Sequence, residues 1–194
     1  MYTPQRNLIL IRHSHPKIVP DWQATQWTLS DVGRLRCHQL AKRITPHYPD
    51  LVVTSTEIKA METGQIIAAD LGKPVKTSEG LHEHARPNVG WYDTVEQFEA
   101  QVAHFFQNPS QLVFGAETAD AAYRRFNNTL NGIMEAHPGW NVAVVTHGTV
   151  MSLYIARLAG IDAFSFWRGL GLPAYVVVSL PDGQIIERVM SIGE

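Results

Sequence analysis

The chain has 194 residues, of which 45% are hydrophobic and 18% are charged, and this balance is typical of one globular domain over residues 1–194. The formal net charge of -2 argues against a basic surface for nucleic acid or for an anionic membrane, although a local cluster of positive charge is compatible with it. Because the lone Cys37 cannot form an internal disulfide and no apolar run is long enough for a signal peptide or a membrane span, we expect a cytoplasmic location.

The first elements are predicted from short local patterns. An apolar run at residues 7–11 is typical of a strand buried on both faces, and the proline and tryptophan residues within 14–28 indicate a loop. Ser30 is a candidate N-cap for a helix that ends at Pro46. The buried face of this helix is predicted to consist of Val32, Leu35, Leu40 and Ile44.

Strands and helices continue to alternate along the rest of the chain. Strands are predicted at residues 51–54, 74–77, 141–146, 174–180 and 184–190, helices at residues 56–71, 94–107, 118–136 and 148–160, and a loop at residues 78–93. This alternation predicts an α/β fold of three layers, with helices on both faces of a mostly parallel sheet. Such sheets bind ligands at the carboxyl ends of their strands.

Two of the predicted strands end in similar residues. The first strand runs into Arg12 and His13, and the fourth runs into His147 and Gly148. Because the carboxyl ends of parallel strands meet at one edge of a sheet, we expect both histidines at the ligand site. The backbone N–H groups of Gly148 and Thr149, at the start of a helix, are candidates for binding an anion. Together these groups predict a phosphate pocket.

Six short motifs occur in a fixed order between residue 7 and about residue 160. They are Leu10–His13, Trp27–Gly33, Thr54–Thr63, Leu81–Glu83, Gly115–Thr118 and Val145–Gly148. Each resembles a motif of the histidine phosphatase superfamily, which includes the cofactor-dependent phosphoglycerate mutases, and the motifs follow one another in the order of that family. The resemblance implies a phosphoglycerate mutase-like α/β/α fold and a phosphoryl-transfer activity.

The resemblance also implies a role for each site residue. His13 is the expected nucleophile, which accepts the phosphoryl group as a phosphohistidine. Arg12, Lys59 and His147 are expected to supply positive charge to the transferring group, so that no metal or other cofactor is required. Glu83 is expected to protonate the leaving alkoxide and then to activate water. The expected partner is a small phosphorylated substrate, and the sequence leaves the oligomeric state open.

Two positions depart from the family pattern. Lys59 stands where the family has arginine, and a lysine keeps the charge without the planar, two-pronged grip of a guanidinium. Either Lys59 is sufficient for phosphate binding or Arg86 contributes as well. Ser14 replaces the glycine after the Arg-His pair, and its side chain lets the backbone approach a phosphate less closely than glycine does.

Two alternatives to a phosphatase stay open at this point. A phosphoglycerate mutase uses the same chemistry, but residues 15–27 lack the loop motifs of the sugar-phosphate mutases. A non-catalytic module that binds a phosphorylated ligand is suggested by the departures at Lys59 and Ser14. A zinc site is not expected, because the two His-x-His pairs at residues 13–15 and 82–84 lack further convergent ligands.

Overall fold

The computed structural model describes residues 6–87 and 89–193, and within this part of the chain six strands form one mixed sheet. The strands are β1 (Arg6–Arg12), β2 (Leu51–Thr54), β3 (Val75–Thr77), β4 (Val142–Thr146), β5 (Ala174–Leu180) and β6 (Gln184–Val189). Their order in the sheet is β3-β2-β4-β1-β5-β6. The first four strands in this order are parallel, whereas β5 pairs antiparallel with both β1 and β6.

Helices cover both faces of the sheet. They are α1 (Asp31–Ile44), α2 (Ile58–Leu71), α3 (Val95–Gln107), α4 (Ala119–Ala136), α5 (Gly148–Ala159) and α6 (Ala163–Gly169). Apolar side chains of α1 and α2 pack on one face, and those of α3 to α6 pack on the other. Successive side chains of β1 point to opposite faces of the sheet. Ile9 and Ile11 pack in the core with α1 and α2, and Leu8 and Leu10 pack in the core on the opposite face. The three-layer α/β/α prediction is confirmed.

Hydroxyl side chains cap the first residues of three of the described helices. The hydroxyl oxygens of Ser30, Thr94 and Thr118 each accept a hydrogen bond from the backbone N–H three residues further along the chain. The predicted cap at Ser30 is therefore confirmed. At the other end of α2, Gly72 adopts a φ of 63°, a left-handed conformation that terminates the helix at little cost for a residue without Cβ.

The predicted buried face of α1 is wrong in its first turn. Val32 and Leu35 are 53% and 65% exposed, and the face toward the sheet instead begins at Gly33. The backbone after β1 lies against this glycine, because a Cβ on Gly33 would be 2.1 Å from the carbonyl oxygen of His15. A helix that must present Gly33 to a neighbouring backbone turns Val32 and Leu35 toward solvent. Leu40 and Ile44 are buried as predicted.

Three short helices were not predicted. They are α6 and two single turns of 3-10 helix at Ala24–Gln26 and Thr45–His47. Residues 1–5, 88 and 194 lie outside the described part, so the predicted loop at residues 78–93 is described except for residue 88, and the single domain over residues 1–194 stays a prediction. Across residues 6–87 and 89–193, no helix combines the length and apolar character needed to cross a membrane.

Candidate active site

The two strand-end histidines lie side by side at the carboxyl edge of the sheet. Arg12 at the end of β1 pairs with Thr146 at the end of β4, and the His13 N–H donates to the Thr146 carbonyl at 2.9 Å. The next residue on each strand is therefore a histidine facing its counterpart. The ring centroids of His13 and His147 are 5.2 Å apart, and the two residues are 7% and 0% exposed.

The imidazole of His13 is held as a neutral ring with a defined tautomer. Its Nδ1 lies 2.8 Å from the carbonyl oxygen of Ser14, which can only accept a hydrogen bond, so Nδ1 carries the proton and Nε2 keeps its lone pair. Burial, followed by the proximity of His147, Lys59 and Arg12, holds the pKa of His13 well below its ordinary value. A neutral imidazole with an available Nε2 is the form that can act as a nucleophile.

A hydroxyl and a carboxylate surround Nε2 of His147. This atom lies 2.7 Å from Oγ of Ser55, which follows β2, and 3.4 Å from Oε1 of Glu57. The opposite ring atom, Nδ1, is buried and has no hydrogen-bond partner among the described residues. Burial and the nearby Lys59 ammonium hold the pKa of His147 well below its ordinary value, so the ring is neutral at pH 7 in the free protein.

Lys59 lies inside the site and is 5% exposed. Its Nζ donates to Oε2 of Glu57 at 2.5 Å and to the carbonyl oxygen of Ala24 at 2.7 Å. The Glu57 side chain is itself 7% exposed, and its Oε1 accepts the Glu83 backbone N–H at 2.9 Å. Glu57 had no predicted role, although it lies two residues before Lys59 in the motif Thr54–Thr63.

The carboxylate of Glu83 lies at the N-terminus of α5. It accepts backbone N–H groups from Thr149 at 3.0 Å, from His84 at 2.8 Å and from Val150 at 3.3 Å. Burial alone raises the pKa of Glu83, but the Arg86 guanidinium and these N–H groups outweigh burial and hold the pKa below its ordinary value. The Thr149 N–H that was predicted to bind phosphate therefore donates to Glu83 in this structure.

Arg12 packs against Gly148 at the start of α5. Arg12 donates through Nη1 to the carbonyl oxygen of Leu170, and burial lowers its pKa to about 10 against the opposing effect of Glu83, so the guanidinium is charged at neutral pH. A Cβ on Gly148 would lie 3.2 Å from Nε of Arg12 and 3.3 Å from Nε1 of Trp167. Glycine at this position therefore lets the guanidinium and the indole approach the helix start. Trp167 had no predicted role.

Arg86 is placed beside Glu83. Its Nη2 lies 3.9 Å from Oε2 of Glu83, and its guanidinium lies over the ring of Phe98, 5.2 Å from the centroid. A second ring, that of Phe114, lies 5.9 Å away. These contacts hold a positive charge beside the Glu83 carboxylate.

The histidine phosphatase superfamily (branch 1) is matched by residues 8–189 of the chain. The chain belongs to this superfamily. It is 34% identical to phosphoglycerate mutase-like protein 4 of Arabidopsis thaliana in an alignment of length 134 that covers 65% of this chain and 58% of that protein. It is also 26% identical to the metal-independent phosphoserine phosphatase of Arabidopsis thaliana in an alignment of length 165 that covers 78% of this chain and 68% of that protein. The chain thus spans less than two thirds of the first of these relatives.

The fold is also similar to that of a phosphoserine phosphatase mutant from Entamoeba histolytica, solved in complex with phosphoserine. The TM-score is 0.75 at 19% sequence identity, and the superposition covers 95% of this chain and 96% of that one. The implied superfamily membership is therefore confirmed by the sequence match, and this likeness supports the fold.

The side chains at both positions that depart from the family pattern have partners in the structure. The Ser14 hydroxyl donates to the Gly33 carbonyl oxygen at 2.7 Å, so the side chain is directed toward α1. Lys59 is paired with Glu57, as described above. Of the candidate zinc pairs, His15 is exposed and its Nδ1 lies 3.0 Å from Oγ of Ser30. In the described part of the chain, no three His, Cys, Asp or Glu side chains are arranged to hold a metal ion.

Proposed function

We propose that this histidine phosphatase hydrolyses a small phosphomonoester through a phosphohistidine on His13. The observation that carries the proposal is the hydrogen bond from Nδ1 of His13 to the Ser14 carbonyl, in a ring packed 5.2 Å from that of His147. This bond leaves the Nε2 lone pair available for attack on phosphorus in a buried site lined by cations. A module that only binds phosphate does not require a neutral imidazole fixed in one tautomer.

The first step transfers the phosphoryl group to the protein. Nε2 of His13 attacks phosphorus, the P–N bond forms, and the P–O bond to the alcohol breaks. Arg12, Lys59 and His147 stabilise the charge that spreads over the phosphoryl oxygens. The departing alkoxide takes a proton from Glu83. Arg86 and the N–H groups at the start of α5 hold the Glu83 side chain in the site.

Glu83 must be protonated to act in this step. In the free site its pKa is lowered, so the carboxylate is ionised at neutral pH. A bound phosphoryl dianion raises the pKa of a neighbouring carboxyl group, and Glu83 therefore takes up its proton when substrate binds. In the second step the Glu83 carboxylate removes a proton from water, the new P–O bond forms, the P–N bond to His13 breaks, and phosphate leaves.

Phosphoserine is the first substrate to test. One relative is a phosphoserine phosphatase, and the similar structure from Entamoeba histolytica was solved with phosphoserine. Mutase activity is the alternative within the same chemistry, since another relative is phosphoglycerate mutase-like. A mutase returns the phosphoryl group to an acceptor alcohol, whereas a phosphatase gives it to water. Interconversion of phosphoglycerates in the absence of phosphate release would favour the mutase.

The test compares wild type with His13→Ala in a phosphate-release assay on an aryl phosphate and on phosphoserine. We expect wild-type turnover and no measurable turnover in the variant. Rapid acid-free quenching with a ³²P-labelled substrate should trap a label on the wild-type protein that is labile to acid and stable to alkali, as a phosphohistidine is. The exposed His104→Ala variant serves as the matched control and should keep full turnover. Equal rates for wild type and His13→Ala would contradict the proposal.

A further inference from the structure

Both carboxylate oxygens of Glu57 act as hydrogen-bond acceptors inside the site. Oε1 accepts the backbone N–H of Glu83 at 2.9 Å, and Oε2 accepts from Nζ of Lys59 at 2.5 Å. An amide offers one accepting and one donating end, so glutamine can satisfy only one of these donors. A carboxylate therefore fixes both the ammonium of Lys59 and the loop that carries the proposed general acid.

Glu57 also faces an imidazole that has an unfilled hydrogen-bonding position. The hydrogen-bond partner of Nε2 of His147 is Oγ of Ser55 at 2.7 Å, and Oε1 of Glu57 lies beyond it at 3.4 Å, where its negative charge favours a proton on Nε2. Nδ1 of the same ring is buried with no partner among the described residues, and a phosphoryl oxygen placed there would favour a proton on Nδ1. A phosphoryl oxyanion at Nδ1 and the Glu57 carboxylate near Nε2 would together stabilise the positive charge of an imidazolium, with the Ser55 hydroxyl accepting the proton on Nε2.

The charge balance of the site favours the same change. The charged and titratable groups that face His147 come from every element packed around it: Arg12, His13, Glu57, Lys59, His82, Glu83 and Arg86. With His13 and His147 neutral, the three cations and two carboxylates of this set leave one net positive charge. A phosphomonoester dianion would turn this into one net negative charge in a buried site. Protonation of Glu83 brings the sum to zero, and protonation of His147 restores the net positive charge of the free site around the dianion.

We propose that Glu57 is a positioning residue and the counter-ion of His147: when a phosphoryl oxyanion binds, His147 takes up one proton from solvent and becomes an imidazolium between the oxyanion and the Glu57 carboxylate. This inference rests on the proposed function only in taking the His13 site as the place where the phosphoryl group binds. It gives the site a proton-linked affinity for phosphate, which falls as pH rises.

The test follows the protonation state of His147 by NMR on the protein labelled with ¹⁵N-histidine, with inorganic phosphate as the probe. The His147 resonances are assigned by their loss in His147→Asn. In wild type we expect neutral ring shifts without phosphate and imidazolium shifts at saturation. In Glu57→Gln we expect the ring to stay neutral at saturating phosphate. We also expect phosphate affinity at pH 7 to fall about tenfold, which corresponds to a change of about one unit in the pKa of the linked group. Glu57→Asp should restore the imidazolium, because it restores the charge.

A matched control and a second variant keep the outcomes distinct. Glu135→Gln removes an exposed carboxylate of α4 and should behave as wild type. If Glu57→Gln unfolds, as circular dichroism would show, Glu57→Leu carries the same comparison, since it also removes the charge. An imidazolium in phosphate-bound Glu57→Gln or Glu57→Leu, or a neutral His147 in phosphate-bound wild type, overturns the inference. Failure of wild type to bind phosphate overturns the proposed function instead.

Discussion

Nε2 of His147 lies 2.7 Å from Oγ of Ser55, and this contact joins the ends of two neighbouring strands. Ser55 follows β2 and donates its backbone N–H to the Val145 carbonyl of β4 at 2.9 Å, while its Oγ accepts the Glu57 N–H at 3.2 Å. The serine is thus fixed by β4 and by the first turn before α2. The second imidazole of the site is oriented by a hydroxyl whose own position is set by the sheet.

Ser55→Ala tests the importance of this orientation. The variant leaves the His147 ring without its hydroxyl partner, and the loss of one buried hydrogen bond corresponds to about 1 kcal/mol. We expect kcat to fall roughly 5- to 10-fold with a smaller change in KM, measured with an aryl phosphate. Ser110→Ala, at an exposed turn, is the control. An unchanged kcat in Ser55→Ala would show that His147 does not depend on Ser55.

Gly148→Ala tests the close packing of Arg12 against the start of α5. The added Cβ would lie 3.2 Å from Nε of Arg12 and must displace the guanidinium by a few tenths of an ångström. We expect kcat/KM to fall about tenfold, because the displaced charge no longer matches the phosphoryl oxygens. The measurement is steady-state kinetics on wild type and variant.

Gly132→Ala is the matched control for this substitution. Gly132 is in α4, and a Cβ there meets nothing within 4 Å. Alanine is favoured over glycine in a helix by roughly 0.5–1 kcal/mol, so this variant should be slightly more stable and fully active. If Gly132→Ala loses as much activity as Gly148→Ala, the loss in Gly148→Ala does not come from the displaced Arg12 guanidinium.

Arg125→Lys tests how the loop that carries Glu83 is held. Nη1 of Arg125 donates to the carbonyl oxygens of Gly80 and His82 at 2.7 and 2.9 Å, and Nη2 donates to that of Glu83 at 3.2 Å and to Oε1 of Glu117 at 2.5 Å. A lysine ammonium cannot reach all four acceptors. We expect the free energy of unfolding to fall by roughly 1–3 kcal/mol and kcat to fall about tenfold.

The neighbouring Arg124→Lys is the control for Arg125→Lys, because Arg124 is exposed on the same helix. Denaturant unfolding and kinetics on both variants separate the loop contacts from the charge itself. If both variants lose the same stability and activity, the contacts of Arg125 with the loop do not position Glu83.

The meeting of His13 with His147 could be predicted because it depends on local rules. Each histidine follows a short apolar strand, and parallel neighbours bring their carboxyl ends together. The positions of Ser30 and Gly72 followed from capping preferences in the same way. These features depend on a few adjacent residues, so the sequence is sufficient to predict them.

The role of Glu57 and the partner of Thr149 could not be predicted, because both depend on contacts between distant segments. The Glu57 carboxylate accepts a hydrogen bond from the backbone N–H of Glu83, which is 26 residues away. The backbone N–H of Thr149 donates to the Glu83 carboxylate, which is 66 residues away. The sequence indicates that an N–H at the start of a helix attracts an anion, but the anion in this structure is a side chain of the protein. Loop geometry decides which carboxylate reaches that position.

The burial of His13 and His147 predicts that the protein loses stability in mild acid. Burial and neighbouring cations hold the pKa values of His13 and His147 well below 6.5 in the folded state, whereas the unfolded chain titrates near the ordinary value. The folded state therefore binds fewer protons below pH 6.5. Its stabilisation is complete above that pH and is lost progressively as pH falls toward the lowered pKa values of the folded protein.

Each of these histidines can contribute a slope of about 1.4 kcal/mol per pH unit to the free energy of unfolding in that window. In this window the unfolded state binds more protons than the folded state. We expect His147→Asn to reduce that difference by about one proton and so to reduce the pH dependence of the free energy of unfolding. Urea unfolding of wild type and variant at a series of pH values from 7.5 to 5 measures this directly. A slope in His147→Asn equal to that of wild type would mean that His147 is protonated equally in both states. The neutral ring assigned to the free site would then be wrong.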